Sequence, residues 1–173
     1  MLKRLEADEQ PGLQPVGVTI RRYEEEDERA LFEVNEASFA DHWGFRPTPF
    51  ESFNEELHGE DRDPTLVFIA AVDGAPVGLV VPFPFETSGY VAMLGVLKEW
   101  RGLGIATALL RRSFFELVGR GMGEVRLHVD SQNAHGAVAL YERMGMSVSN
   151  RYDTFDLRTP EAAEPTSARP STT

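Results

Sequence analysis

Leu94-Gly95-Val96-Leu97-Lys98-Glu99-Trp100-Arg101-Gly102-Leu103-Gly104-Ile105-Ala106-Thr107-Ala108-Leu109-Leu110 is the stretch that decides how the chain is read. An apolar strand runs into a Gly-x-Gly turn, and the turn runs directly into a helix. Glycine lets backbone approach a ligand with no Cβ in the way. The first N–H groups of the following helix have no partner inside it and favour negative charge, so the turn suits a phosphate or a pyrophosphate. A dinucleotide fingerprint would need Gly at position 107, where this chain has Thr107, and a Walker loop would need Gly-Lys-Ser/Thr, which is absent. The competing reading is a tight strand-to-helix turn that binds nothing. Gly95 narrows the choice, because Gly inside an apolar strand marks a bulge or a close backbone approach by a ligand. Leu94 and Val96 would then offer free backbone groups to a ligand that carries amides. A ligand with both a pyrophosphate and an amide-bearing arm is coenzyme A.

Upstream of this stretch, residues 18–23 alternate and read as a strand. A helix follows, with Leu31, Phe32, Val34, Ala37 and Phe39 on its apolar face. Residues 41–47, Asp-His-Trp-Gly-Phe-Arg-Pro, form a loop. Thr48-Pro49-Phe50-Glu51 is a helix start, with Thr48 as cap and Pro49 at the first helical position, and that helix ends near Gly59. Residues 66–72 are a strand, Asp73-Gly74 a hairpin turn, and residues 76–83 the returning strand, ended by Pro82 and Pro84. Residues 90–96 are the third central strand. Downstream come a helix over 104–118, a strand over 124–129, a short helix over 136–144 stopped by Gly145, and a last strand over 147–157. This succession predicts an α+β fold, a mixed central sheet of about six strands with helices on both faces.

Residues 1–16 carry two prolines and little periodicity, and residues 159–173 are rich in Pro, Ser and Thr. The expected layout is an N-terminal tail over 1–16, one domain over 17–158 and a disordered C-terminal tail over 159–173. The 173 residues carry a net charge of −11. Residues 1–60 hold 15 acids and 6 bases, whereas residues 98–126 hold six bases and three acids, a basic island that suggests a bound polyanion. The acidic balance argues against nucleic-acid binding, which needs Lys and Arg at phosphates. No cysteine is present, which excludes a disulfide scaffold, a Cys nucleophile and thiolate metal sites, and no metal centre is expected. No window approaches 18 apolar residues and no secretory leader is evident, so a soluble cytoplasmic protein without a membrane span is expected.

Arg101-Gly102-Leu103-Gly104-Ile105-Ala106 resembles the Arg/Gln-x-x-Gly-x-Gly/Ala motif of the GNAT acyltransferase superfamily. The block from Val125-Arg126-Leu127-His128-Val129 through Asn133 to Leu140-Tyr141-Glu142 and Gly145-Met146 is similar to that superfamily's C-terminal half. The second half is also similar to one half of mycothiol synthase; with one such domain in this chain, that substrate is not expected to carry over. The resemblance covers about residues 90–146, and the order of elements agrees over about 17–158.

The resemblance implies acetyl-CoA as co-substrate and direct acetyl transfer to a primary amine of a small molecule or peptide. By it, the backbone of Arg101, Gly102, Leu103, Gly104, Ile105, Ala106 and Thr107 would hold the pyrophosphate. Leu94, Gly95 and Val96 would line the pantetheine arm, and Asn133 would touch the cofactor. Arg111 and Arg112 are candidates for the adenosine phosphates. Tyr141 would protonate the leaving thiolate. Many members carry Glu near position 92 as base, but this chain has Ala92. His128 is the first candidate in its place, followed by Glu86, Asp41 and His42 or a base acting through water; its other reading is a strand His satisfied by the backbone. Trp43, Phe45 and His42 would wall the acceptor side or plug the core. The alternative to an enzyme is a non-catalytic acyl-CoA sensor or interaction module, and a homodimer through edge strands is left open.

Overall fold

Asp73 and Gly74 reverse the chain with φ of 48° and 83°, the backbone of a two-residue hairpin turn. That hairpin sets the register at the centre of a computed structural model, which describes residues 1–41, 45–59, 62–130 and 136–152. It joins β3 (Phe68–Val72) to β4 (Ala75–Phe85), and a second tight turn leads into β5 (Ser88–Val96). β2 (Thr19–Arg22) lies outside β3. β6 (Glu124–Arg126) lies beside β5, and β1 (Leu2–Arg4) beside β6. The order is therefore β1-β6-β5-β4-β3-β2. Every neighbouring pair is antiparallel except β5 and β6. Those two are joined by the crossover helix α3 (Ile105–Gly119), as a parallel pair requires.

The central strands read as unbroken apolar runs because both faces are covered. Phe68, Ala70 and Val80 pack with Leu109, Leu110, Phe114 and Leu117 of α3 on one face. Their neighbours Ile69, Leu79 and Val81 pack on the other with Leu31 and Val34 of α1 (Glu28–Phe39) and Phe53 and Leu57 of α2 (Phe50–His58). Tyr141 of α4 (Ala137–Arg143) and Met144 just beyond it join the α3 side. Each fully buried Leu or Phe here stabilises the fold by roughly 1.5–3 kcal/mol. No helix among the described residues is long and apolar enough to cross a membrane.

Four local expectations are corrected. Residues 1–16 are not a tail throughout: Leu2–Arg4 is an edge strand, Met1 is buried, and Leu127 N–H donates to the Met1 carbonyl at 3.0 Å. Three residues are too few to show a period of two, and the pairing partners, β6 and Ser147, lie far along the chain. Pro82 and Pro84 do not end β4. Pairing with β3 stops at Val80, and counting back from the Glu86-Thr87 turn points both proline nitrogens away from β5, toward the side that β3 has vacated. Pro49, not Thr48, is the N-cap of α2, and no side chain caps it. The Thr48 N–H instead donates to Glu36 of α1 at 3.2 Å. β6 ends at Arg126 rather than at residue 129, and of the expected last strand the described residues show one bridge, Ser147 to Leu2. The C-terminal boundary near 158 lies outside the described residues.

Candidate active site

β5 and β6 pair only through Gly89 with Val125 and Tyr90 with Arg126. Beyond that point a cavity of about 490 Å³ takes the place of further pairing. Val91, Ala92, Leu94, Gly95 and Val96 form one wall, and Leu127, His128, Val129 and Asp130 the other. A strand paired on one side presents alternate backbone N–H and C=O groups on the other, so β5 offers the cavity an unzipped edge. Its register against β4 shifts by one residue: Val81 faces Met93, but Pro82 faces Val91. Ala92 is thus the extra residue of a β-bulge, a device that re-aims backbone groups.

The bulge lies at Ala92, not at Gly95, and Gly95 has a different reason to be glycine. A Cβ there would come within 2.9 Å of the Ser38 side chain. The missing side chain admits α1 against the sheet rather than a ligand. Ser38 itself is buried and lines the cavity, and its hydroxyl has no hydrogen-bond partner among the described residues.

At the end of β5 the chain passes a short 3-10 turn, Lys98–Trp100, and enters α3 through Gly102 and Gly104, with φ of 79° and 82°. Gly104 is the N-cap, no side chain caps the helix, and its first turn contains no acid. The first intrahelical bond is Ala108 N–H to the Gly104 carbonyl, so the N–H groups of Gly104 to Thr107 are without helical partners. Arg101 does not aim its guanidinium at a ligand. It donates to the Val96 carbonyl (3.1 Å), the Ser38 carbonyl (2.8 Å) and both oxygens of Asp41 (2.9 and 3.2 Å). It clamps the end of β5 to the end of α1, which also explains why Asp41 is engaged elsewhere than as a base.

Tyr141 stands on α4 at the opposite wall, buried, with burial pushing its phenol up to about 12. His128 is exposed on the β6 side of the cavity mouth. Its Nδ1 lies 2.6 Å from the Tyr90 hydroxyl, so its partner is a side chain and not backbone. Burial pushes the Tyr90 phenol up. The rings continue from His128 through Tyr90 to Phe83, on which the Arg62 guanidinium sits at 3.5 Å.

The cavity therefore brings together Leu94, Gly95, Val96, Arg101, Gly102, Gly104, Ile105, Ala106, Thr107, His128 and Tyr141. Leu103 does not line it; Leu103 faces a second hollow beside α3. Glu86 sits in the exposed β4–β5 turn and does not line the cavity either. Asn133, His42 and Trp43 lie outside the described residues. Tyr90 and Ser38 were missed. Ser38 reads as one more position on a helix, and Tyr90 as an ordinary strand aromatic, because only the pairing of β5 with β6 brings Tyr90 to His128.

Residues 23–146 match the acetyltransferase (GNAT) family. The chain is 34% identical over 142 residues to mycothiol acetyltransferase of Streptomyces griseus, covering 77% of this chain and 44% of that protein. It is 38% identical over 92 residues to N-alpha-acetyltransferase MAK3 of Arabidopsis thaliana, covering 51% of this chain and 48% of that one. The crystal structure of a GCN5-related N-acetyltransferase from Sphaerobacter thermophilus superposes with a TM-score of 0.74 at 34% identity, over 84% of this chain and 46% of that one. The chain spans about half the length of the curated relatives it matches, or less. With the split sheet, the glycine turn and the family match in agreement, this chain belongs to the GNAT acetyltransferase family.

Proposed function

We propose that the chain is an N-acetyltransferase that moves an acetyl group from acetyl-CoA directly to a primary amine of a small molecule or peptide. The unzipped edge of β5, leading straight to the uncapped first turn of α3, carries this reading. The fit is favourable: the cavity walls leave room for an extended arm, and no side chain of the first turn of α3 competes for its amides. Backbone N–H groups from Gly102 to Thr107 would hold the pyrophosphate, and Leu94 to Val96 would pair with the amide-bearing arm. Acetyl-CoA supplies an activated acyl group on a thiolate leaving group.

In the transfer, the amine nitrogen forms a bond to the acetyl carbonyl carbon as the carbon–sulfur bond breaks. Tyr141, whose phenol burial pushes up to about 12, is protonated at neutral pH as any tyrosine is, and its hydroxyl gives a proton to the departing thiolate. His128 takes the proton that the amine loses. This requires the tautomer in which Nδ1–H donates to the Tyr90 oxygen, 2.6 Å away, and Nε2 is the accepting atom. A non-catalytic acyl-CoA sensor is the second reading, favoured by Ala92, which puts no carboxylate on the bulge. Release of free thiol from acetyl-CoA with a panel of small amines and peptides separates the two. We expect turnover that falls about 10²-fold or more in Tyr141→Phe. Tight acetyl-CoA binding with no turnover for any amine marks the sensor.

A further inference from the structure

The last backbone pairing between β5 and β6 is Tyr90 with Arg126. Where the two strands part, the next tie between them is made by side chains: the Tyr90 hydroxyl lies 2.6 Å from His128 Nδ1. That hydroxyl makes no other hydrogen bond among the described residues. The two rings meet edge to face with centroids 5.7 Å apart, and Tyr152 meets the imidazole in the same way at 6.2 Å. Tyr90 is itself held from the far side. Phe83, its partner on β4, lies 5.2 Å away, and the Arg62 guanidinium sits 3.5 Å above Phe83 with Glu56 at 3.8 Å. Tyr90 therefore stands on a packed base, half-buried, while His128 is exposed at the cavity mouth.

We propose that Tyr90 is a positioning residue: its oxygen accepts the Nδ1–H of His128 and so fixes the tautomer whose Nε2 lone pair is free for the amine. The inference rests on the reading of His128 as base and adds what sets its tautomer and ring angle. A neutral imidazole has a lone pair at one ring nitrogen only, so the partner of Nδ1 decides whether Nε2 accepts or donates. In the opposite arrangement the Tyr90 O–H donates to Nδ1, Nε2 carries the hydrogen, and His128 offers the cavity a donor that takes no proton from an amine. Once Nε2 has taken a proton, both ring nitrogens are donors, and the bond from Nδ1–H to Tyr90 becomes charge-assisted. A bond to the charged form favours that form, so the same contact that orients the ring also supports the imidazolium. Burial, and then Glu56, push the Tyr90 phenol up. Tyr90 thus keeps its own proton and serves His128 through its oxygen lone pair.

¹⁵N NMR of the histidine rings in the full chain, at about pH 8.5 where an ordinary imidazole is neutral, tests this without any turnover. The chain has four histidines, and His128→Ala identifies the signal that belongs to His128. The wild type is expected to show the Nδ1–H form. Tyr90→Phe keeps the ring and its packing, and is expected to move most of the signal to the Nε2–H form that a free histidine side chain prefers. An Nε2–H form in the wild type, or an Nδ1–H form that survives in Tyr90→Phe, overturns the proposal. Kinetics with the best amine of the panel separate it from the reading on which it rests. Tyr90→Phe is expected to lower kcat about tenfold or more with the KM for acetyl-CoA unchanged, and to add no further loss in a His128→Ala background. Losses that add in the double variant mark a tyrosine that acts independently of His128, and overturn the proposal. Turnover that His128→Ala leaves unchanged overturns the base reading alone, and the spectra still decide the tautomer.

Discussion

Tyr141 holds its proton in surroundings that resist ionisation. The folded chain keeps the phenol neutral until about pH 12, whereas an unfolded chain releases that proton near pH 10. In that window the unfolded state binds fewer protons, so stability falls as pH rises. The difference is about 2–3 kcal/mol, present in full below pH 10 and lost by about pH 12. Urea unfolding at pH 9.5 and pH 12 should show the wild type losing that much more stability than Tyr141→Phe; parallel losses would remove the burial argument. Single residues were legible to different depths. Tyr141 and His128 are candidates by resemblance to the family's C-terminal block, and both line the cavity. Gly95 was legible as a constraint but not as to its cause, since a missing Cβ looks the same in sequence whether a helix or a ligand fills the space. The same holds for Arg101, whose pairing with Asp41 depends on how α1 docks.

α3 begins without an acid in its first turn, although a carboxylate there would favour the helix by roughly 0.3–1 kcal/mol. The omission makes sense if an anion bound from outside supplies the charge. Thr107→Asp is accordingly expected to hold or raise the thermal midpoint while weakening acetyl-CoA binding more than tenfold, read by calorimetry; unchanged affinity would detach the helix start from the cofactor. Elements with many repeats of their period, such as α1, α3 and the β3–β4 hairpin, were readable because each turn or alternate residue adds to the signal. β1 and β6 have three residues each and owe their existence to pairing across the fold. The prolines of β4 misled because proline is hostile to a strand bonded on both sides, and only the sheet's outline reveals that one side is vacant there.

At the scale of the molecule, Glu116 ties separate parts together. Its carboxylate on α3 meets Arg22 of β2 at 2.9 Å, Arg112 at 2.8 Å and Arg120 at 3.2 Å, and Arg120 reaches Asp63 at 3.0 Å. Burial alone would push Glu116 up, but Arg22, then Arg120 and Arg112, hold it below the usual carboxylate range. A lowered folded value means stability that is present above about pH 4–5 and lost as pH falls through it. Glu116→Gln is expected to cost roughly 1–3 kcal/mol at pH 7 and to flatten the acid side of the stability curve, measured by denaturant unfolding at pH 7 and pH 3.5. The cavity spans the sheet: Ser38 and Phe39 of α1 stand at it from one face, Ala106 of α3 and Tyr141 of α4 from the other. On the proposed reading the two reactants have separate doorways. A thioester held at α3 would leave the α1 side of the cavity to the amine, so neither would have to pass the other for both to be aboard at once.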